Sequence, residues 1–453
     1  MSSPSLDPVF AYIDARSDEY VARLMDYVRH PSISAHNIGI AEVSQMLVTQ
    51  LSELGMEVEA IPSKGHPFVL GRYQVDPAKP TVLLYGHYDV QPPDPLELWD
   101  SPPFEPTIRN GRIYARGVGD NKGQHFAQIM ALEAHLAVHG TLPCNVLLLL
   151  EGEEEIGSPQ IADFVRQNKE RLNVDFVVTA DGPLHESGTA TLTYGVRGIA
   201  TFELRARTAS RDAHSGNFGG VMPNAVWSLV HLLATMKSAD GEITIEGLRD
   251  ELLPPTPADL DAVTKLPVEI ESYMAEMGMT QLDAPKDRPF WDRLMFHPTL
   301  TINGLHGGYD GPGIKSVLPC SAVAKCDIRL VSPMTTEHVY ACVKAHVAKH
   351  APDVEVIIHG SMPPSRTPMD DRWGQLIQHA IADARNETPL VYPSLGGSLP
   401  DYVFTQILGV PAYVMPYANA DEANHAPNEN LDISLFLKGI RTGASLLDRL
   451  GRI

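Results

Sequence analysis

Two histidines and several carboxylates stand at or just past the ends of apolar segments. His87 and Asp89 lie in LLYGHYDV, Asp120 in RGVGDNKG, Glu154 and Glu155 in LLLLEGEEEIGS, Asp181 in FVVTADGP, and His425 in EANHAPNEN. Imidazole nitrogens and carboxylate oxygens are the donors that hold divalent zinc, cobalt or manganese. If these residues converge, they can hold a pair of cations and activate water for hydrolysis.

Each motif adds a physical reason. Alternation along an extended chain points positions 87 and 89 to the same side. His87 is therefore expected to be a ligand, with Asp89 hydrogen-bonding the other imidazole nitrogen and fixing its tautomer. The small residues of RGVGDNKG suit a sharp turn that presents Asp120 inward, where its two oxygens can bridge two cations. The GxG in that segment is not read as a dinucleotide loop. Its third glycine comes one position late, and Asp120 would stand where a pyrophosphate needs backbone amides. Adjacent glutamates after an apolar strand repel one another unless a cation or solvent compensates. One of them can bind metal while its neighbour shuttles a proton. Asp181 and His425 complete the candidate ligand set.

Three further segments carry donors. DAHSGNFGG (212–220) reads as a glycine-rich mobile arm whose His214 can donate to an oxyanion. Arg329 in CDIRLV is a planar bidentate donor suited to a carboxylate. GGSLP (396–400) lets backbone amides approach a ligand closely, and because it is not GxSxG, Ser398 is not read as a nucleophile.

The elements that must position these residues are legible. TVLLYGHYD (81–89), NVLLLLEGE (145–153) and DFVVTAD (175–181) are continuous apolar runs ending in polar residues, the pattern of buried central strands. In open α/β sheets the ligand site lies beyond the carboxyl ends of the strands, where the candidate ligands fall. A helix is expected over 8–30 and another over 40–55. Near residue 197 the pattern changes: TFELRART alternates, NAVWSLVHLLATM (224–236) is helical, 240–300 reads as an insertion with local helices, and further strands bracket the helix TEHVYACVKAHVAKH. The expected fold is α/β, a catalytic domain with a central, mostly parallel sheet flanked by helices, plus an inserted smaller α+β lid or dimerisation domain. The expected boundaries are 1–196 and 365–453 for the catalytic domain and 197–364 for the insert.

Composition limits the function classes. At 453 residues, two domains are expected. With 35 Lys and Arg against 56 Asp and Glu, the chain carries a formal charge of −21 and repels polyphosphate, so no nucleic-acid partner is expected. Four cysteines without a CxxC pair suggest a reducing compartment. MSSPSLDPVFAYIDARSDEY has neither a basic n-region nor an apolar h-region, and no apolar run is long enough to span a bilayer. A cytoplasmic protein without a membrane partner is expected.

Taken together, HYDVQPP, the ARG-to-Asp120 segment, EEEIGS, DAHSGNFGG and HAPNEN resemble the M20 metallopeptidases, over about residues 80–430 and in matching order. That family includes cytosolic and carnosine dipeptidases, glutamate carboxypeptidases, aminoacylases and succinyl-diaminopimelate desuccinylases. YGHYDVQPPDPLELW and the 240–300 insertion look most like the dipeptidase branch. The resemblance implies a metallohydrolase acting on dipeptides or short peptides with a free C-terminal carboxylate. It implies two divalent metal ions per subunit, zinc first and Co2+ or Mn2+ as alternatives. His87, Asp120 and Asp181 would hold one ion, and Asp120, Glu155 and His425 the other. Glu154 would be the general base, with Asp89 also in the catalytic set and Glu153 a bystander. A cis peptide is implied at Asp120–Asn121. His214 would reach a neighbouring subunit's site, implying a homodimer through the lid. Arg329, Ser316, Gly397 and Ser398 would bind the substrate carboxylate.

Two positions depart from the pattern. Asn121 replaces a second acidic residue found in many relatives. Leu395, just before GGS, stands where the dipeptidase branch often carries an acid, which favours an apolar or acylated group over a free amine. The alternative substrates are therefore an N-acyl amino acid, for an amidohydrolase, or a longer peptide, for a carboxypeptidase. A non-catalytic metal- or ligand-binding protein is the alternative of another class, and the spare Glu154 argues against it.

Overall fold

The computed structural model describes residues 6–268, 270–283 and 288–453, without the side chains at 272 and 276. The first five residues of the segment read for a leader, and positions 269 and 284–287 of the expected insertion, lie outside the described residues. The chain divides into two compact units. One runs up to Gly195 and also takes in Arg366–Pro393 and Pro400–Ile453; the other is Val196–Ser365 with Ser394–Leu399. The expected return to the first unit from residue 365 is thus interrupted at Ser394–Leu399. The reason is local: the carbonyls of Leu395 and Gly397 accept the backbone N–H of Arg197, which belongs to the second unit.

In the first unit the chain forms β1 (Glu57–Ile61), β2 (Phe68–Tyr73), β3 (Thr81–His87), β4 (Asn145–Glu151), β5 (Phe176–Thr179) and β6 (Thr191–Thr193). β3, β4 and β5 are the apolar runs noted above, and β4 is buried at every position, as a strand covered on both faces must be. The chain then enters the second unit through β7 (Gly198–Arg207), β8 (Thr299–Gly307), β9 (Ser321–Leu330) and β10 (Val354–Met362), and returns to add β11 (Leu390–Tyr392) and β12 (Ala412–Val414).

The first unit is built on an eight-stranded mixed sheet in the order β1-β2-β4-β3-β5-β12-β6-β11. Its centre, β4-β3-β5-β12, is parallel throughout. The edge pair β1–β2 is antiparallel, and β1 has no apolar run to announce it because it is half exposed. Helix Lys122–His139, buried on most sides, packs against Ile433–Gly451, which in turn meets Arg372–Arg385. One apolar cluster covers one face of the sheet through Leu84, Leu148 and Val178, and a second covers the other through Leu83, Leu147 and Val177. The expected helix over 8–30 is instead two helices, Asp7–Ala15 and Ser17–Val28, since Arg16 (φ −113°, ψ 13°) leaves helical geometry.

The second unit is a four-stranded antiparallel sheet, β8-β9-β7-β10, with helices Ala225–Met236 and Thr336–His350 packed on it. Phe202, Leu204, Leu229, Ile328 and Val343 belong to its core. The glycine-rich segment around His214 is more regular than expected: Ala213–His214 pairs with Val317–Leu318, and Ser215–Phe218 forms a helical turn. Among the described residues, no helix is long and apolar enough to cross a membrane.

Candidate metal centre

The parallel strands deliver the first unit's candidate ligands to one edge. β3 ends on His87, which is in register with Glu151 at the end of β4. Glu154 and Glu155 follow in a short 3-10 turn, Glu154–Ile156. Asp181 comes two residues after β5, and His425 lies in the loop after β12. All therefore fall beyond the carboxyl ends of the strands, where parallel sheets bind ligands.

Two clusters result, and Asp120 belongs to both. His87, Asp120 and Asp181 each offer an atom within 4.8 Å of the others, and so do Asp120, Glu155 and His425. His87 Nε2 lies 3.0 Å from Asp120 Oδ1 and 3.6 Å from Asp181 Oδ2. His425 Nε2 lies 3.0 Å from Asp120 Oδ2 and 3.0 Å from Glu155 Oε2. One carboxylate thus turns a different oxygen to each imidazole. His87 is fully buried, whereas the His425 side chain is 54% exposed.

The other imidazole nitrogen of His87 meets Asp89, as expected, with the backbone carbonyl nearer than the carboxylate. Nδ1 is 3.0 Å from the backbone carbonyl of Asp89 and 3.4 Å from its carboxylate. The carbonyl is the nearer acceptor, which leaves Nε2 free to face Asp120. The Asp89 carboxylate accepts the backbone N–H groups of Glu154 (3.2 Å) and Glu155 (3.1 Å) and so fixes the turn that carries both glutamates.

Two features of this arrangement were not drawn from the sequence. Glu429, four residues after His425, is fully buried and organises the Asp120 loop. It accepts the N–H groups of Gly117, Gly119 and Asp120 and pairs with Arg116 at 2.7 Å. The spacing within HAPNEN was the available signal. Asn121 is a structural hub: Oδ1 accepts from His87 N–H and faces His125 Nδ1, while Nδ2 donates to Ala180 O. The peptide between Asp120 and Asn121 is cis, as the family resemblance implies. The tight turn also requires glycine, since a Cβ on Gly119 would lie 2.3 Å from Glu422 Oε2 and Gly117 has φ +82°.

The electrostatics match a cation site. Among the described ion pairs, no Lys or Arg reaches Asp120, Asp181, Glu154 or Glu155. Burial disfavours a charged His87, yet hydrogen bonds to Asp120, Asp181 and Asp89 push its pKa well above the usual imidazole range. Hydrogen bonds to Asp120 and Glu155 raise His425 to about 10. Burial works to raise Asp120, but hydrogen bonds from His425 and His87 outweigh it and hold it low. Burial, then the Asp120 charge, lift Glu155 to about 7. Burial raises Glu154 well above the usual range; His87 opposes this, and Asp181 and Glu155 add to it. Positive charge is thus demanded at two points, and among the described residues the two imidazoles are the basic groups paired with these carboxylates. Divalent cations would replace the imidazole protons at the same lone pairs.

The remaining candidates belong to the second unit. Arg329 Nη1 donates to Ser398 Oγ at 2.9 Å. The Gly397 carbonyl accepts the backbone N–H of Arg197. Ser316 is exposed, with its carbonyl bonded to Ser215 N–H. His214 is exposed, and its Nδ1 accepts the N–H of Gly216 at 2.9 Å.

The pattern described as Peptidase family M20/M25/M40 matches residues 83–449. The chain belongs to this family. As an M20 member it is a metallopeptidase, and its mixed sheet with an inserted α+β unit is the M20 architecture. It is 32% identical to the Cys-Gly metallodipeptidase dug1 of Schizosaccharomyces pombe, over 99% of each chain. It is 28% identical to the Beta-Ala-His dipeptidase of Homo sapiens, covering 100% of this chain and 95% of the human one. Among solved structures, the M20 family metallo-carboxypeptidase Sso-CP2 of Sulfolobus solfataricus aligns with a TM-score of 0.89 at 32% identity, covering 96% of this chain and 100% of that one.

Proposed function

We propose that this M20 peptidase hydrolyses the amide bond of dipeptides or short peptides that end in a free carboxylate. The observation that carries the proposal is Asp120, which presents one oxygen to each of two ligand clusters. His87, Asp120 and Asp181 would hold one divalent ion, and Asp120, Glu155 and His425 the other. Zinc suits these donors, as do cobalt and manganese. When bound, such a pair supplies Lewis acidity toward the scissile carbonyl and acidifies a water molecule.

The chain's own residues do the rest. Glu154 takes the proton of the attacking water and returns it to the leaving amine. Asp89 holds the Glu154 backbone so that the carboxylate is presented in one position. Arg329, Ser398, Gly397 and Ser316 are the proposed binders of the C-terminal carboxylate, supported by the Arg329–Ser398 hydrogen bond. His214 is the proposed donor to the oxyanion. Exposed Trp227, Ile302 and Leu305 in the second unit support a homodimer formed through it. Four free cysteines are consistent with the reducing, cytoplasmic setting included in this reading.

Leu395 favours a second reading, an N-acyl-amino-acid amidohydrolase or a carboxypeptidase, because an apolar side chain before GGS offers no charge to a substrate amine. The test is hydrolysis of free dipeptides, N-acetyl amino acids and a longer peptide by metal-loaded enzyme, with and without chelator. Chelator-sensitive cleavage of free dipeptides is the expected result. Cleavage of only the acetylated compounds would select the amidohydrolase, and cleavage of only the longer peptide the carboxypeptidase. Tight metal binding without turnover would reject hydrolysis altogether.

A further inference from the structure

Arg197 is a buried cation with no ion-pair partner of its own among the described residues. It is 8% exposed, and its Nη1 has no hydrogen-bond partner. Its backbone N–H and Nε are committed to one loop. The backbone N–H is shared between Leu395 O (3.2 Å) and Gly397 O (3.1 Å), and Nε donates to Gly396 O at 2.8 Å. The next residue of that loop, Ser398, is the one that Arg329 holds. Ile199, two residues after Arg197, pairs with Arg329 across β7 and β9.

A second positive charge therefore lies close to Arg329. Burial first, and then repulsion from Arg329, lower the pKa of Arg197 to about 10, with Asp327 opposing. Asp327 sits 3.8 Å from Arg329 Nε, so the one carboxylate whose field acts on Arg197 is already shared with Arg329. A buried charge that is only partly compensated destabilises the free protein, and an anion arriving nearby relieves it.

We propose that Arg197 is a positioning residue for the carboxylate subsite, setting the Leu395–Ser398 loop and supplying a second positive charge behind Arg329. The proposal rests on the assignment of Arg329 and Ser398 to the substrate carboxylate. Arg197 acts through the loop and through its field, without touching substrate. Its substrate class is one with a full negative charge at the C-terminal end, as opposed to an amide or ester.

The test compares alanyl-alanine or N-acetyl-alanine, whichever is cleaved, with its C-terminal amide, in wild type, Arg197→Gln and Arg197→Lys. Wild type should prefer the acid. Arg197→Gln should raise KM for the acid by about 10- to 100-fold, as loss of a charged partner does, with kcat within a few-fold, little change for the amide, and unchanged metal content. Arg197→Lys should recover part of the KM, because it keeps the charge while losing the planar donor. Equal losses on acid and amide, or a KM for the acid that stays at the wild-type value in Arg197→Gln, would overturn the role of Arg197 alone. A wild-type enzyme with no preference for the acid would instead reject the carboxylate assignment of Arg329 and Ser398. If Arg197→Gln does not fold, Arg197→Lys decides: wild-type KM and preference there would show that the planar guanidinium is not needed to set the loop.

Discussion

The carboxylate of Glu429 accepts the backbone N–H of Asp120 at 3.0 Å, and the same group takes Gly117 and Gly119 and pairs with Arg116. The loop that presents the shared ligand is therefore held by a side chain more than 300 positions away in sequence. Glu429→Ala leaves Arg116, 1% exposed, without its partner, and removing one member of a buried pair costs about 3–5 kcal/mol. The variant is expected to melt earlier and to bind fewer than the wild-type number of metal ions. Thermal denaturation with metal analysis checks this; wild-type values for both would mean that other contacts hold the loop.

Glu154 lies beside the two clusters but in neither of them. Glu154→Gln should therefore keep the wild-type metal content while kcat falls by about 10²- to 10⁴-fold, the usual contribution of a general base. Near-normal turnover would sink its assignment as base.

The His214 side chain is exposed, and its Nδ1 accepts the N–H of Gly216. Its removal should cost little stability. His214→Ala is expected to fold normally and bind metal normally, with kcat reduced by about 10²- to 10³-fold, as for the loss of an oxyanion donor. Loss of metal without a direct effect on turnover would contradict its role.

Glu151, at the end of β4, is fully buried, and burial pushes its pKa up to about 8 despite hydrogen bonds from Tyr85 and Ser158. In the unfolded chain the group titrates near the ordinary 4.5. Between those values the folded protein holds a proton that the unfolded chain has released, so this group's contribution to stability is full below about 4.5 and is lost as pH rises toward about 8. Urea midpoints measured with chelator at several pH values should decline across that window, and Glu151→Gln should flatten the decline. An unchanged slope in the variant would show that other groups set it.

The sequence by itself determined the class of chemistry and the strands that carry it. β3, β4 and β5 are runs of large apolar residues because both faces of a central parallel strand are covered. Polar residues at the ends of such runs therefore stand out, and His87, Glu154, Glu155 and Asp181 were legible in this way. The edge strand β1 was not, because a half-exposed strand has no apolar run to mark it. Only the tertiary structure decided which oxygen of Asp120 meets which imidazole, that the Asp89 backbone rather than its carboxylate is nearer to His87, and that Glu429 and Arg197 brace loops distant in sequence. Periodicity reports which face of an element is buried. It carries no record of which distant backbone a buried charge will hold, because that depends on how the chain closes on itself.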